Sequence, residues 1–372
     1  MNGLGRIPIV AAVWVMVAAC ISTFGVEDAA LPLKSVRFWA YQIQGLEEPG
    51  AVDALARSRY DLLVIEPTRT DASSPESKNF PMRQVVQKLK AGKASDGVHR
   101  KLVLAYIDIG EAEGWRWYWT WSRTWKKGSP RPADWPDFIL GADPGGWSDN
   151  WVVAFWDPKW KDILLYGKNT PRDAGRDYAS VLDEVVKDGF DGVYLDWVEA
   201  WEEKRVAAAA RKAGLDPAAE MIKLIGEIRA CGKRAKPDFL VFQQNSPGLI
   251  EGHPELAKVI DALGQEDIWW DGDPDVKWDD PAGYDRAVAK SDSKETVRRL
   301  KLFQDAGLPV FDVEYAVKHA GEAYETANRY GYITYCSRTP LSRLTTTLPP
   351  GLPKNQALRA REYLPSRLPL CR

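Results

Sequence analysis

Short apolar runs rich in Val, Ile, Leu and Tyr alternate with longer stretches of helical periodicity from about residue 33 onward. This alternation is typical of βα units arranged around a parallel sheet. Nine runs are predicted as strands: 36–41, 62–65, 102–107, 151–155, 192–195, 239–243, 262–265, 309–313 and 331–335. A closed (β/α)8 barrel needs eight strands, so we expect one run to be an extra or edge strand, with 151–155 and 331–335 the least regular.

The stretches between these runs carry helix signals. One apolar face is formed by residues spaced i, i+3, i+4, i+7 and i+8, namely Tyr178, Val181, Leu182, Val185 and Val186. Gly189 should end that helix, and Asp216 followed by Pro217 should begin another as an N-cap and a first-turn proline. Gly307 and Pro309 mark the end of a further helix and the start of a strand.

Two regions depart from the alternation. Residues 114–160 contain ten of the 17 tryptophans, so we predict a Trp-rich insertion, because this stretch is too long and too aromatic for a plain connecting loop. Residues 339–372 are rich in Pro, Leu and Arg with weak periodicity, and we predict an irregular C-terminal tail that packs along the outside or stays partly mobile. The predicted barrel domain therefore covers residues 33–338.

The N-terminus has the layout of an export signal over residues 1–20. Arg6 precedes an apolar run, 7–19, that is broken by Pro8 and followed by Cys20. Residues 17–20 also resemble a bacterial lipobox, in which the cysteine carries a lipid that would tether the protein to a membrane. Lipoprotein processing, ordinary signal cleavage and an uncleaved anchor are three alternatives; the first two place the protein outside the cytoplasm, secreted, periplasmic or membrane-anchored.

The charge balance argues against a nucleic-acid partner. Fifty Lys and Arg against 52 Asp and Glu give a formal net charge of -2, so no basic field is available for a phosphate backbone. The three histidines, His99, His253 and His319, show no metal-ligand spacing, and no dinucleotide or phosphate-binding fingerprint occurs in the right context. We therefore expect no metal, no cofactor and a monomeric chain.

Acidic residues gather where the predicted strands end, which in a parallel barrel is the face that carries the active site. These residues are Asp108, Glu111, Asp196, Glu199, Glu266, Asp267, Asp312 and Glu314. Crowded, partly desolvated carboxylates differ in pKa, so that one can stay protonated beside an ionised neighbour. Glycosidic bond cleavage needs this pairing of an acid with a nucleophile or base. Tryptophans near the same strand ends could stack on sugar rings, although any single one could equally belong to the core.

Several segments together resemble one enzyme family. They are FWAYQ at 38–42, YIDIGEAE at 106–113, FWDPKW at 155–160, GFDGVYLD at 189–196, QN at 244–245, GQED at 264–267 and VEY at 313–315. In this order and spacing they resemble the endo-α-1,4-polygalactosaminidases, glycoside hydrolase family 114, over about residues 36–338. The resemblance implies a (β/α)8 barrel that cleaves galactosamine-containing exopolysaccharides, and it maps the essential carboxylate pair onto Asp196 and Glu266.

We therefore expect Glu266 as general acid and Asp196 as nucleophile or base, two roles that could be exchanged. Substrate contacts are predicted for Tyr41, Asp108, Glu111, Trp197, Gln244, Asn245, Trp269 and Glu314. For Asp108, Glu111 and Glu314 a structural hydrogen bond is an equal alternative. A non-catalytic glycan-binding barrel, or a hydrolase of a different polysaccharide, are the competing hypotheses, and the Trp-rich insertion leaves the exact glycan open.

Overall fold

Eight parallel strands form the central sheet of the chain, seen in a computed structural model that describes residues 29–67, 80–123, 125, 129–169, 178–273, 278, 280 and 285–353. The sheet order follows the chain order. The strands are β1 (Trp39–Gln42), β2 (Leu62–Ile65), β3 (Leu102–Asp108), β4 (Gly192–Asp196), β5 (Leu240–Gln244), β6 (Ala262–Glu266), β7 (Val310–Glu314) and β8 (Ile333–Cys336).

The first and last strands are the two ends of the sheet and lie beside each other, so that the sheet forms a nearly closed barrel. The ring of Trp39 on β1 lies 6.3 Å from that of Tyr335 on β8. Nine α-helical segments occur in the described part of the chain: α1 (Ala51–Arg57), α2 (Met82–Lys90), α3 (Pro158–Lys161, continued by a π-helical turn), α4 (Val181–Asp188), α5 (Lys204–Lys212), α6 (Pro217–Ala235), α7 (Leu249–Gly252), α8 (Lys290–Asp305) and α9 (Ala320–Tyr330). The predicted (β/α)8 architecture is confirmed.

Eight of the nine predicted runs are the barrel strands, and 151–155 is the extra one. Its first three residues lie in Asn150–Val153, the middle strand of a small antiparallel sheet with Glu111–Glu113 and Ile139–Ala142, and 154–155 follow that strand. The irregular run 331–335 is a true barrel strand, β8. The first strand begins at Trp39 rather than at residue 36, because the backbone N–H groups of Arg37 and Phe38 are bound by a side chain instead of by a neighbouring strand.

The predicted helix boundaries have the expected caps. The carboxylate of Asp216 accepts the N–H of Ala218 at 3.0 Å, and α6 begins at Pro217. Gly189 takes a left-handed conformation with φ 87°, which a residue with a Cβ adopts only at a cost, and α4 ends before it.

Aromatic rings from β1, β4 and β7 pack against one another inside the barrel. Trp39 lies 5.4 Å from Phe311 and 6.0 Å from Tyr194, and Tyr41 lies 5.2 Å from Tyr194. A second aromatic cluster stabilises the insertion, where Trp119, Trp135 and Trp151 pack against one another. Most tryptophans of the insertion are therefore core residues.

One repeated contact ties the N-terminal face of the barrel together. Asp61, Asp191 and Asp261 each come directly before an even-numbered strand, and each accepts an N–H from the start of the preceding odd-numbered strand. Asp191 also binds Lys90, Arg100 and Lys236, which hold its pKa at about 2 against the effect of burial. These three carboxylates replace missing ladder hydrogen bonds and fix how neighbouring strands begin.

In the part of the chain that the structure describes, the helices are all too short or too polar to cross a lipid bilayer. Cys231 and Cys336 are free thiols, with Cys336 buried at the end of β8. Cys20, Cys371 and the export signal lie outside the described residues.

Asp191→Asn should lower the free energy of unfolding at neutral pH by about 3 kcal/mol, because it leaves three clustered cations without their counterion. The native pKa of about 2 lies below the unfolded value near ~4, so this contribution is present above pH ~4 and is lost as the pH falls towards 2. Denaturant unfolding of the wild type and the variant, at neutral pH and near pH ~2, measures this difference in the free energy of unfolding. Asp305→Asn, at an exposed helix end, is the matched control; equal midpoints for the two variants would contradict the prediction.

Candidate active site

Left-handed residues follow three successive barrel strands. Trp197 comes after β4 with φ 55°, Asn245 after β5 with φ 54° and Asp267 after β6 with φ 57°. Asn and Asp tolerate this conformation, whereas a bulky Trp adopts it at a cost of about 1 kcal/mol or more. Each turn redirects the chain at the C-terminal end of its strand, so that the last strand residues, Asp196, Gln244 and Glu266, border a common opening.

Asp196 is the last residue of β4, and two donors hold its carboxylate. The hydroxyl of Tyr106 donates to Oδ2 at 2.5 Å, and the N–H of Trp197 donates to Oδ1 at 2.7 Å. Burial raises the pKa of Asp196 to about 7, and the charge of nearby Glu266 adds to this effect, while the two hydrogen bonds act against it. Asp196 therefore keeps a proton at a pH where an ordinary aspartate has lost it.

Glu266 is the last residue of β6 and accepts hydrogen bonds from three side chains. Gln244 donates to Oε2 at 2.5 Å and Asn245 to the same oxygen at 3.1 Å, while the hydroxyl of Tyr315 donates to Oε1. The backbone N–H of Glu266 in turn donates to Oδ1 of Asn245 at 3.0 Å. This set of donors orients the carboxylate and stabilises its charge.

A chain of side chains connects the two acids across the barrel mouth. Tyr41 on β1 donates to Oε1 of Gln244 at 3.1 Å, and its ring lies 6.3 Å from that of Tyr106, the residue bound to Asp196. Burial raises the pKa of Tyr41, and the charges of Glu266 and Asp196 raise it further. Tyr41 is therefore a neutral donor between the two carboxylates.

The opening is a cavity of about 1310 Å³ with a strongly acidic wall. Its described lining contains one basic residue, Arg343, and nine acidic residues: Glu47, Glu48, Glu66, Glu113, Asp149, Asp196, Glu199, Glu266 and Asp267. Burial followed by the charge of Asp196 raises the pKa of Glu199 to about 8. Such a cavity favours a ligand that carries positive charge.

One buried cation supports this acidic wall from behind. The guanidinium of Arg116 binds Glu66 at 2.5 Å and Glu113 at 2.6 Å, and all three side chains are buried. Two carboxylates and one guanidinium leave this cluster with a net negative charge, and both glutamates also line the cavity. Arg116 therefore positions two acids of the wall without neutralising it.

Six of the ten predicted site residues meet at this cavity: Tyr41, Asp196, Trp197, Gln244, Asn245 and Glu266. Asp108 and Glu111 lie beneath the cavity and do not line it. Oδ1 of Asp108 accepts the N–H groups of Gly110 and Glu111, and Glu111 accepts Asn150 at 3.0 Å. Burial and Asp143 raise the pKa of Glu111 to about 9. Both acids therefore anchor the insertion to β3.

Trp269 and Glu314 also lie outside the cavity lining. Trp269 stacks on Tyr330 and Tyr332 at ring distances of 5.7 and 6.2 Å. The fully buried carboxylate of Glu314 accepts the N–H groups of Ile268, Trp269 and Trp270 at 3.1, 3.2 and 2.6 Å. Glu314 thus holds the loop that follows Glu266. Of the two roles considered for Glu314, substrate contact and structural hydrogen bond, the structure has the hydrogen bond.

Sequence reasoning did not select Tyr106 and Tyr315 as site residues, although each donates to one of the two central acids. Both stand at or just beyond the C-terminal end of a predicted strand, and this position was the available signal. Residues 339–353 also approach the site: Leu341, Ser342 and Arg343 line the cavity, and Gln42 donates to the carbonyl of Ser342 at 3.1 Å.

Relatives of the chain are found in bacteria and archaea. An uncharacterized protein of Deinococcus radiodurans is 29% identical over 319 residues, which are 85% of this chain and 85% of that protein. An uncharacterized protein of Methanocaldococcus jannaschii is 28% identical over 322 residues, covering 81% of this chain and 75% of the relative.

Solved structures agree on the fold. The glycoside hydrolase domain of PelA from Pseudomonas aeruginosa is 18% identical with a TM-score of 0.50, and the match covers 83% of this chain and 97% of the domain. Ega3 from Aspergillus fumigatus, in complex with galactosamine, is 15% identical with a TM-score of 0.52, covering 83% and 93% of the two chains. The model of glycoside-hydrolase family GH114 matches residues 27–349. The chain is a glycoside hydrolase and belongs to family GH114.

Proposed function

We propose that Asp196 and Glu266 are the carboxylate pair with which this glycoside hydrolase cleaves a galactosamine-containing polysaccharide. The observation that carries the proposal is their placement: both acids border one cavity at the C-terminal face of the barrel. Their strands are separated only by β5, and neighbouring strands lie ~4.8 Å apart, so the two backbones are ~10 Å apart. Side chains reaching into that gap suit the ~5–9.5 Å carboxyl separations that glycosidases use.

The ionisation of the pair also suits the reaction. With the pKa of Asp196 raised to about 7, the two groups together retain one proton at slightly acidic pH, so one acid and one carboxylate are available at once. The acid protonates the glycosidic oxygen as its bond to the anomeric carbon breaks. The carboxylate attacks that carbon or takes a proton from the attacking water, and hydrolysis is complete when water supplies the new hydroxyl.

The charge of the cavity supports an amino-sugar substrate. De-N-acetylated galactosamine carries an ammonium group, and nine acidic side chains against one arginine favour such a chain, although the raised pKa values of Asp196, Glu199 and Asp267 reduce the negative charge of the wall. Galactosamine is also the ligand named for the Ega3 structure. A neutral polysaccharide would gain nothing from this concentration of negative charge.

Asp196→Asn and Glu266→Gln should each lower kcat on partly deacetylated galactosaminoglycan by about 10²–10⁴-fold, because each removes one half of the acid and base pair. Reducing ends released by purified protein measure this. Asp292→Asn and Glu322→Gln, at exposed helix positions, are the matched controls and should retain full activity. Unchanged release by both site variants would sink the assignment, and binding by the wild type without any release would favour the non-catalytic barrel.

The two roles can be separated by chemical rescue. The sequence-based expectation makes Glu266 the general acid, whereas the raised pKa of Asp196 favours Asp196 for that role. A substrate with a good leaving group, which needs little protonation, should therefore restore most of the first step only to the variant that has lost the acid. The measurement is the burst of leaving group on a galactosaminide with an activated aryl leaving group. Selective rescue of Asp196→Asn would assign the acid to Asp196, and selective rescue of Glu266→Gln would assign it to Glu266. Equal rescue of both variants would contradict a division of roles.

The activity should fall with rising pH above about 7. The raised pKa of Asp196 means that Asp196 is protonated below this value and ionised above it, and once Asp196 is ionised the proton that it could give to the leaving oxygen is lost. The profile of kcat/KM should decline by about tenfold per pH unit on this limb. A profile that stays flat up to pH ~9 would contradict a catalytic role for the proton of Asp196.

We also propose that the enzyme acts outside the cytoplasm as a lipoprotein tethered through Cys20. The support is the order of Arg6, the apolar run and Cys20 at the N-terminus. Labelled palmitate should be incorporated into the full chain and lost in Cys20→Ala, and globomycin should block processing. Export without label would leave ordinary signal cleavage as the explanation.

A further inference from the structure

The Trp-rich insertion reaches the cavity through Trp115 near its start and through one hairpin. The strands Ile139–Ala142 and Asn150–Val153 are antiparallel neighbours, and the turn between them spans 143–149. Trp147, Ser148, Asp149 and Asn150 from this hairpin all line the cavity that contains Asp196 and Glu266. The insertion is therefore part of the wall of the active site.

Trp147 differs from the other tryptophans of the insertion. Its side chain is 54% exposed, whereas Trp119, Trp135 and Trp151 are 5%, 6% and 8% exposed. Across the described ranges it is the one exposed tryptophan, and no aromatic ring stacks on its indole there. The part of the indole that folding leaves uncovered lies at the wall of the cavity, where it can bind a ligand.

The turn that presents Trp147 is held in place from both sides. Oδ2 of Asp143 accepts the N–H of Trp147 at 2.7 Å, and Gly146 takes φ 94° in the left-handed region. The N–H of Asp143 donates to the carbonyl of Asn150 at 2.9 Å, and the side chain of Asn150 donates to Glu111 at 3.0 Å. The indole is thus displayed by a hairpin tied to β3 through the buried carboxylate of Glu111.

An acid stands beside the exposed ring. Asp149, two residues further on, is exposed, lines the same cavity and has φ 65°. A flat indole can stack on the C–H face of a pyranose or bind an ammonium group over its ring, and a carboxylate can accept hydrogen bonds from the same ammonium. Together they match an amino sugar and not an uncharged apolar ligand.

We propose that Trp147 and Asp149 form a distal subsite, which binds an amino-sugar unit of the polysaccharide away from the bond that is cleaved. The inference rests on the proposed function for its substrate class and adds a second binding position to it. The sugar unit stacks on the indole and its ammonium group is bound by Asp149. This subsite makes the insertion a determinant of the chain length that the enzyme prefers.

The test is a graded series of α-1,4-linked galactosamine oligosaccharides hydrolysed by the full chain. Trp147→Ala should raise KM about tenfold for oligosaccharides long enough to reach the hairpin and leave both KM and kcat unchanged for the shortest cleaved one. Asp149→Asn should weaken binding of the long oligosaccharides less for N-acetylated units than for free amines. Trp147→Phe keeps a ring and should recover most of the affinity.

Tyr166→Ala is the matched control, since Tyr166 is an exposed aromatic residue that does not line the cavity. Near-UV circular dichroism and thermal unfolding show whether Trp147→Ala is folded, and Trp147→Phe carries the test if it is not. Equal kinetics of Trp147→Ala and wild type on every length, or an equal loss on all lengths, would overturn the distal subsite.

Calorimetric titration of Glu266→Gln with the same oligosaccharides separates the two proposals, because binding does not depend on cleavage. If the long oligosaccharides bind more weakly when Trp147→Ala is added, the subsite stands even where the wild type releases no reducing ends. If the added substitution changes nothing, the subsite fails whether or not the enzyme cleaves the polymer.

Discussion

The carboxylates Asp191 and Asp261 at the N-terminal face of this barrel are paired with cations, whereas the two central acids at the C-terminal face are held by neutral donors, and the active site depends on that contrast. At the N-terminal face, Asp191 is bound by two lysines and an arginine, and Asp261 is bound by Arg229. At the C-terminal face, Asp196 and Glu266 are held by hydroxyl, amide and backbone donors. Neutral donors orient a carboxylate without cancelling its charge, so repulsion between the acids persists; burial raises the pKa of Asp196, and this repulsion raises it further.

Two acids that repel each other stay close together only if the surrounding loops and turns are held in place. Three buried carboxylates do this from behind the cavity: Glu314 fixes the loop after Glu266, Asp108 fixes the turn after β3, and Glu111 anchors the insertion. Arg116 adds one cation that clamps Glu66 and Glu113. Buried acids that hold loops and turns therefore surround the acids that face the cavity, and an acidic residue serves structure or chemistry according to its partners.

The aromatic residues divide in a similar way. Trp39, Trp119 and Trp151 are buried and fill the barrel or stiffen the insertion, whereas Tyr106 and Tyr315 use their hydroxyls to hold the acids. Trp147 belongs to neither group, since it is exposed at the end of a braced hairpin. Most tryptophans of the insertion therefore pack within it, while Trp115 and Trp147 line the cavity.

The sequence by itself determined the strands, the helix ends and the acidic ends of the strands. Apolar runs, an Asp before a Pro and a Gly after a helix act locally, through backbone conformation and periodicity, so they can be recognised without knowing what lies nearby. The family's motifs likewise stood out in the chain from 38 to 315. The same local information could not tell which of the runs 151–155 and 331–335 was the extra strand. Which strands pair with each other depends on contacts between residues that are distant in sequence.

Only the tertiary structure decided which acids face the cavity. Asp108 and Asp196 end adjacent strands in register, yet one binds the turn beneath the cavity and the other lines it. The difference arises in the turns: Trp197 adopts a left-handed conformation that no preference of tryptophan predicts, and Glu314 has backbone donors brought to it from the preceding βα unit. The direction of a side chain at a strand end is set by partners distant in sequence, and only folding brings those partners into contact.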